Sequence, residues 1–415
     1  MAQAKSKTKA SEFDFEAYRT QVVQGLIKGQ ALTGQDGLLK PLIAQFIEAA
    51  LAAEMDDHLA DEAQRGLTNK RNGQLTKEVQ TTLGAVDIDY SRDRAGRFEP
   101  VTVRKRSRQL ALGFEEQIIE LYASGSSLED ITRTLSKLYG AEMSTARISS
   151  VINATWQTVE DWHRRRLPAC LVVLFIDAIH IDVRREHGVA KVALYVAYGI
   201  TLEGKREVIG LIPGQGTEGA VEWARCLESF KQRGLEDVLI TCSDGLAGLK
   251  SVIAQTWPQT QIQRCVVHKI RNTFRLLDDK DSKQVLRQLK EVYNAVNEAE
   301  ASRRLEDFGN YWQGKYDLVV ALWRKDWDEL MTCMKLSPAL KKLTYTTNAI
   351  ENLNREIRRV VKTKGAWPND RSLLIQLYHS LDRKRDSWNK SVLGWSSIHR
   401  ELCETFGERY TKHFN

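Results

Sequence analysis

Apolar residues recur at helical spacing from about residue 38 to 63, with Leu39, Leu42, Ile43, Phe46, Ile47, Ala50 and Leu51 on one face. Gly66 and Asn72-Gly73 punctuate the end of that predicted helix. Strict alternation follows: Val79, Thr81 and Leu83, then Gly84, then Val86, Ile88 and Tyr90, which predicts a hairpin or an edge-strand pair. The helical period returns over 114–122. Ser127 is placed to cap a second helix, with Asp130 at its third position, and Ser144-Thr145 to cap a third carrying Ile148, Val151 and Ile152.

From Cys170 the texture changes. Runs at 171–177, 192–200, 208–212, 237–242 and 261–267 read as strands, a turn at 202–205 joins the second to the third, and helices are predicted at 219–233 and 247–255. Three strands, helix, strand, helix, strand is the order of a mixed sheet covered by helices, an α/β fold. Residues 278–336 read as helical throughout and hold Tyr293, Tyr311, Trp312, Tyr316, Trp323 and Trp327. The chain thus divides into a polar tail (1–12), an N-terminal helical region with a small hairpin (13–103) and a three-helix segment (104–168). The first part of a sheet core (169–277), an all-helical insertion (278–338) and a final part with basic C-terminal helices (339–415) complete it. Helix, short turn, helix in 104–168 fits a DNA-reading helix-turn-helix, with Thr145, Arg147 and Ser149 toward bases, and fits an ordinary helical bundle equally.

At 415 residues, 42% of them hydrophobic, the chain can bury more than one core. No apolar run approaches a membrane span and the basic N-terminus lacks a signal-peptide core, so a cytoplasmic, nucleoid-associated location is expected. Six scattered cysteines without a close pair are expected to be reduced. A net charge of +7 favours a polyanionic partner. The cations cluster at Arg104-Lys105-Arg106, at Arg383-Lys384-Arg385, and at Arg355, Arg358, Arg359, Lys362 and Lys364. One such cluster is ordinarily a solvated face; several beside a metal site suit a phosphate backbone.

Three acids give these clusters a context. Asp177 ends the apolar run 171–176, Asp244 follows the run 238–242 and precedes Gly245, and Glu351 lies on a helix, capped near Thr347 or Asn348, that turns basic just after it. Carboxylates at strand ends are costly unless compensated. Three of them together can hold two Mg²⁺ ions, with Mn²⁺ as a substitute, for phosphoryl transfer. Taken singly, Asp177 reads as a strand-end acid with a basic partner, Asp244 as an Asp-Gly turn, and Glu351 as an intrahelical partner of Arg355. Asp182 competes as a ligand, but the apolar run ends directly on Asp177.

Further segments strengthen the conjunction: Asp177-Ala178 followed by Arg184; Leu194-Tyr195-Val196-Ala197; Val208-Ile209-Gly210-Leu211; Ser243-Asp244-Gly245-Leu246; Gln263-Arg264-Cys265-Val266-Val267-His268; and 345–355 around Glu351. With Arg92-Asp93-Arg94 and Phe98-Glu99-Pro100 upstream, the chain resembles the bacterial Mutator-type DDE transposases from about residue 38 to 388. That resemblance implies an RNase H-like core interrupted by a helical insertion and preceded by helical DNA-binding or dimerisation domains. It implies Asp177, Asp244 and Glu351 as catalytic metal ligands. The expected partners are the terminal inverted repeats and target DNA, handled by a homodimer or larger assembly.

Cys265 and His268 form the family's short Cys/His signature; two ligands fall short of a closed zinc site, so packing or hydrogen bonding is expected of them. Trp323 and Trp327, spaced one turn apart, read as core or as a platform for an unpaired base, and Trp223 shares that ambiguity. Asn348 is grouped with Thr145, Arg147, Arg104, Lys105, Arg106, Trp323, Arg355, Arg358, Arg359 and Lys362 as expected DNA contacts. Two other outcomes remain in view. A catalytically inactive, transposase-derived DNA-binding protein would bind but never cut. An RNase H-like structure-selective nuclease would cut without joining ends to a target.

Overall fold

The computed structural model describes residues 13–34, 36–81, 83–105, 114–139, 143–345, 348–362, 364–388 and 390–414. The polar tail, Arg106, Thr347 and the side chain of Asn348 lie outside the described residues. The chain forms two compact units that meet in sequence at Ala154 and Thr155, within the 104–168 segment.

The first unit holds α1 (Phe15–Ile27), α2 (Lys40–Gln64), the strands β1 (Arg71–Thr81) and β2 (Gly84–Asp93), and then α3 (Phe114–Ala123), α4 (Leu128–Tyr139) and α5 (Thr145–Ala154). The apolar face of α2 meets the hairpin through Ile47 and Leu51 against Val79, Val86 and Ile88. Asn72-Gly73 does not end a helix as expected: it sits inside β1, where the pairing register shifts between Arg71 and Gln74. Ser127 caps α4 by accepting from the Asp130 backbone N–H at 3.0 Å and donating its hydroxyl to Asp130 Oδ2 at 2.8 Å.

The second unit opens with α6 (Trp156–Arg164) and continues through β3 (Cys170–Arg185), β4 (Gly188–Thr201), β5 (Arg206–Pro213), α7 (Ala220–Gln232), β6 (Asp237–Ser243), α8 (Leu249–Thr256), β7 (Gln261–Arg264) and α9 (Val266–Phe274). The sheet order is β5-β4-β3-β6-β7, antiparallel on the β4 and β5 side and parallel from β3 through β6 to β7, so it is mixed as expected. Leu171, Leu174 and Ile176 of β3 pack with Trp223, Leu227 and Phe230 of α7 and Ile253 of α8.

A helical block follows: α10 (Asp279–Tyr293), α11 (Glu298–Tyr311), α12 (Asp317–Lys325), α13 (Trp327–Met331) and α14 (Pro338–Tyr345). It has a core of its own, built around Val285, Leu289, Leu305, Phe308, Val319 and Trp323. The remaining helices are α15 (Asn348–Val361), α16 (Asp370–Asp382), α17 (Arg385–Trp388), α18 (Trp395–Phe406) and α19 (Glu408–Thr411). No helix among the described residues is long and apolar enough to cross a membrane.

Two expected boundaries move. The strand expected at 171–177 runs on to Arg185, and the one expected at 261–267 stops at Arg264, because Cys265 turns the chain and caps α9. The first change puts Asp177 in mid-strand, one of the two placements, middle or carboxyl end, expected of it.

Candidate active site

Eight consecutive residues of β3, from Cys170 to Asp177, are buried; from Ala178 onward burial alternates, with Ile179, Ile181 and Val183 inside. The change has a structural cause. β3 pairs in parallel with β6 from Cys170 opposite Asp237 to Phe175 opposite Cys242, and β6 ends at Ser243. The same register carried two residues further brings Asp177 level with Asp244. Asp177 therefore stands where β3 loses its parallel neighbour, at a step in the sheet. Asp182 is an odd number of residues away and points to the opposite face of the strand, so it does not compete.

Asp177 is 8% exposed. Its Oδ1 accepts from the backbone N–H of Ala178 at 2.9 Å, and its Oδ2 accepts from Asn354 Nδ2 at 2.5 Å. Burial pushes its carboxyl above the ordinary range; the His268 ring opposes that shift, the Asp244 charge adds to it, and the Arg358 guanidinium opposes it further. Asp244 is half-buried in the turn after β6 and accepts from the Leu246 backbone N–H at 3.2 Å. The Arg264 guanidinium lies over the next residue: a Cβ on Gly245 would lie 1.6 Å from Arg264 Nη2 and would push that side chain aside.

The helix that carries Glu351, α15, reaches this region through Asn354. Ile350, Leu353, Asn354, Ile357 and Val360 are its buried positions, Glu351 is half-buried, and Arg355, Arg358, Arg359 and Lys362 are exposed. Asn354 and Arg358 follow Glu351 by one and two turns, and both act on Asp177, so the three share one stripe of the helix. The three acids do not form a group whose carboxylate oxygens all lie within 4.8 Å of one another.

A fourth acid, Glu218, belongs to the same region. In the loop between β5 and α7, Ala193 donates its N–H to Gly216 O at 2.7 Å and Gly219 donates its own to Tyr195 Oη at 3.2 Å. Tyr195 pairs across the strands with Ala178, next to Asp177. Ala220 abuts Gly248, four residues after Asp244: a Cβ added there would sit 3.1 Å from that of Ala220. Glu218 Oε1 accepts from the buried Trp223 indole N–H at 2.9 Å. Burial pushes the Glu218 carboxyl up to about 7; the Trp223 hydrogen bond opposes this, and the charges of Asp244 and Asp177 add to it. A lone acid within Gly214-Gln215-Gly216-Thr217-Glu218-Gly219, after a strand and before a helix, was its only sequence signal.

The other expected site residues distribute as follows. Cys265 Sγ accepts from the His268 backbone N–H at 3.4 Å, a helix cap, while the His268 Nδ1 is buried without a hydrogen-bond partner. Thr145 and Arg147 are exposed on α5, whereas Ser149 is half-buried with its hydroxyl accepting from Asn153. Arg104 is exposed, and Lys105 pairs with Glu99 at 3.1 Å. Trp323 must be withdrawn as a DNA contact. It is 0% exposed, stacks near Tyr293, and donates its indole N–H to Thr273 Oγ1 at 3.0 Å, so no base can reach it. Trp223 is buried likewise, and Trp327 is half-buried with its N–H on Glu298.

Two other groups of metal-competent side chains occur among the described residues, His58 with Glu62 and Asp93, and Cys170 with Asp237 and His413. The chain's own cations and amides already serve both. Arg97 and Asn69 bind Glu62, Asn69 bridges on to Asp93, and Arg409 grips both oxygens of Asp237.

Residues 17–391 match the model of a family described as "Transposase, Mutator family". The chain is 35% identical over 379 residues to the transposase for insertion sequence element ISRM3 of Rhizobium meliloti, covering 91% of this chain and 94% of that one. It is 31% identical over 352 residues to the transposase for insertion sequence element IS905 of Lactococcus lactis, covering 84% and 88%. Among solved structures, the Drosophila P element transposase strand transfer complex matches 75% of this chain and 87% of that one. Its TM-score of 0.30 and identity of 12% are too low to carry structural detail across.

Proposed function

The chain belongs to the Mutator family of transposases, and from that premise we propose that it is the transposase of an insertion sequence, cutting DNA at the element's terminal inverted repeats and joining the freed 3′-hydroxyl to target DNA. In this reading Asp177, Asp244 and Glu351 are the catalytic acids of an RNase H-like core and hold two Mg²⁺ ions, with Mn²⁺ as a substitute. The observation that carries it is the parallel register of β3 on β6, which sets Asp177 level with Asp244 at the open step of the sheet.

The residues present fit the cation. Every donor is a hard oxygen, as Mg²⁺ prefers. Asp177 is buried and its carboxyl is further raised by Asp244, a repulsion that a divalent charge offsets. Asn354 Oδ1 is a buried acceptor with no partner in the fold, which costs about 1–3 kcal/mol if left so. When bound, Mg²⁺ supplies activation of the attacking water or 3′-hydroxyl and charge stabilisation at the leaving oxygen.

The chain's own residues position the acids. The N–H groups of Ala178 and Asn354 hold Asp177, and that of Leu246 holds Asp244. Arg355, Arg358, Arg359 and Lys362 lie on the exposed side of α15, where they can neutralise phosphates of the strand being cut. Thr145 and Arg147 of α5, with Arg104 and Lys105, are further candidates for duplex contact. Since two element ends must be handled together, the acting species is a homodimer or larger assembly on DNA.

Replacing Asp177, Asp244 or Glu351 with Ala should abolish Mg²⁺-dependent nicking of terminal-repeat DNA while leaving repeat binding intact in a gel-shift assay. Wild-type nicking by any one of the three variants would sink the assignment.

A further inference from the structure

Asn354 carries a feature that helix packing alone does not explain. It is 1% exposed, and it sits one turn after Glu351 on the helix that crosses β3. Its Nδ2 donates to Asp177 Oδ2 at 2.5 Å, and its Oδ1 is buried with no hydrogen-bond partner. Charge dictates that orientation. An ionised carboxylate only accepts, so the amide must turn its N–H toward Asp177 and its carbonyl elsewhere.

The neighbouring inward positions of α15, Ile350, Leu353 and Ile357, are apolar and offer that carbonyl nothing. A residue needed only to fasten α15 to β3 would require the donor alone. Buried acceptors are ordinarily paired with protein or with ordered water. Here the unpaired one belongs to the same amide whose N–H holds Asp177, the acid level with Asp244.

Resting on the reading of Asp177, Asp244 and Glu351 as a cation site, we propose that Asn354 is a positioning residue of that site. Its amide N–H fixes the Asp177 carboxylate, and its carbonyl oxygen accepts a hydrogen bond from a water of the bound cation. Because Asn354 and Glu351 share one helix face, the same contact sets how close the Glu351 end of α15 comes to Asp177. Outer groups that orient metal-ligating carboxylates typically change affinity about 10- to 100-fold when removed.

The test uses the full chain and Mn²⁺ alone, read by isothermal titration calorimetry and by thermal melting with and without Mn²⁺. Asn354→Ala should bind Mn²⁺ at least about tenfold more weakly than wild type, and its Mn²⁺-induced rise in Tm should shrink. Wild-type Mn²⁺ affinity in Asn354→Ala, with Tm lowered equally in both conditions, would reduce Asn354 to a packing residue and overturn the proposal. Should Asn354→Ala fail to fold, Asn354→Asp keeps the shape but faces Asp177 with an acceptor. With the N–H that fixes Asp177 gone, that variant's Mn²⁺-induced rise in Tm should be smaller than the wild type's, and an equal or larger rise overturns the proposal. Asp177→Asn is the control that separates the two levels. If it too binds Mn²⁺ like wild type, the three-acid reading itself fails and this inference falls with it.

Discussion

Glu218 and Asp177 show how the environment decides the state of a carboxyl. Both are held up by burial; the charge of Asp244 adds to both shifts, and that of Asp177 adds to the one at Glu218. The sign of the consequence for Glu218 is definite. Its carboxyl moves from an ordinary 4.5 to about 7 in the fold, so folding favours the protonated form. That contribution to stability is complete below about pH 4.5 and is lost as pH rises through 7. Glu218→Gln keeps an acceptor for the Trp223 indole N–H and removes the titration. In chelator, the Tm of Glu218→Gln relative to wild type should climb as pH goes from 4.5 to 8. A difference that stays flat across that window would show that the fold does not raise the Glu218 carboxyl. None of this was legible beforehand, because a glycine-rich loop has no period from which to infer where a side chain points. Asp177, by contrast, was marked by the apolar run that ends on it.

At the level of elements, legibility followed whether one periodicity held throughout. The hairpin partners, α7 and the succession of strands and helices along the core could be read from pattern alone. β3 was truncated in the reading because its pattern changes at Asp177 from continuous burial to alternation, where β6 stops covering one edge. Val266-Val267 looked like the end of a strand, but the Cys265 thiol cap starts α9 there instead. Trp323, flanked by Arg324 and Lys325, read as core or as a platform; it is core, and only the flanking cations face solvent.

The element contact with most bearing on the site was also hidden, since its partners are more than fifty residues apart. Asp326, at the end of α12, pairs with both Arg264, beside the Asp244 turn, and Lys269 of α9. Asp326 and Lys269 are 8% and 4% exposed, so this is a buried ion network. Burial lowers the Lys269 ammonium and the Asp326 carboxylate opposes that shift. Removing the carboxylate leaves the buried Lys269 ammonium without its counter-charge, while Arg264 keeps Glu329 at 3.6 Å; breaking a buried pair in this way typically costs about 3–5 kcal/mol. Asp326→Ala should lose stability on that scale in urea denaturation, and adding Lys269→Met should recover part of the loss. If the double variant is no more stable than the single one, the pair is not the element holding the insertion to the sheet.

For the whole molecule, the division at Ala154 and Thr155 puts Asp177, Glu218, Asp244 and Glu351 in one unit. That unit carries two large cores, one between the sheet and its helices and one within the insertion. It also keeps α6, which the sequence pattern had grouped with the preceding helices. The attachment has identifiable bonds: Thr155 Oγ1 lies 2.9 Å from His379 Nε2, the Trp156 ring lies 5.1 Å from the Arg371 guanidinium, and Trp162 meets Tyr378 edge-on at 5.6 Å. A fragment spanning 155–415 should therefore melt cooperatively in circular dichroism and bind Mn²⁺ with the affinity of the full chain, since Asp177, Asp244, Glu351, Glu218 and Asn354 are all within it. Beginning the fragment at 166 instead strips α6 from α16 and uncovers Tyr378, and should lower its Tm by several degrees, as a loss of 1 kcal/mol shifts a domain of this size by about 2–4 °C. Equal Tm values for the two fragments would place α6 outside the cooperative unit. Loss of Mn²⁺ binding in the longer one, with its fold intact, would mean that residues before Thr155 complete the site.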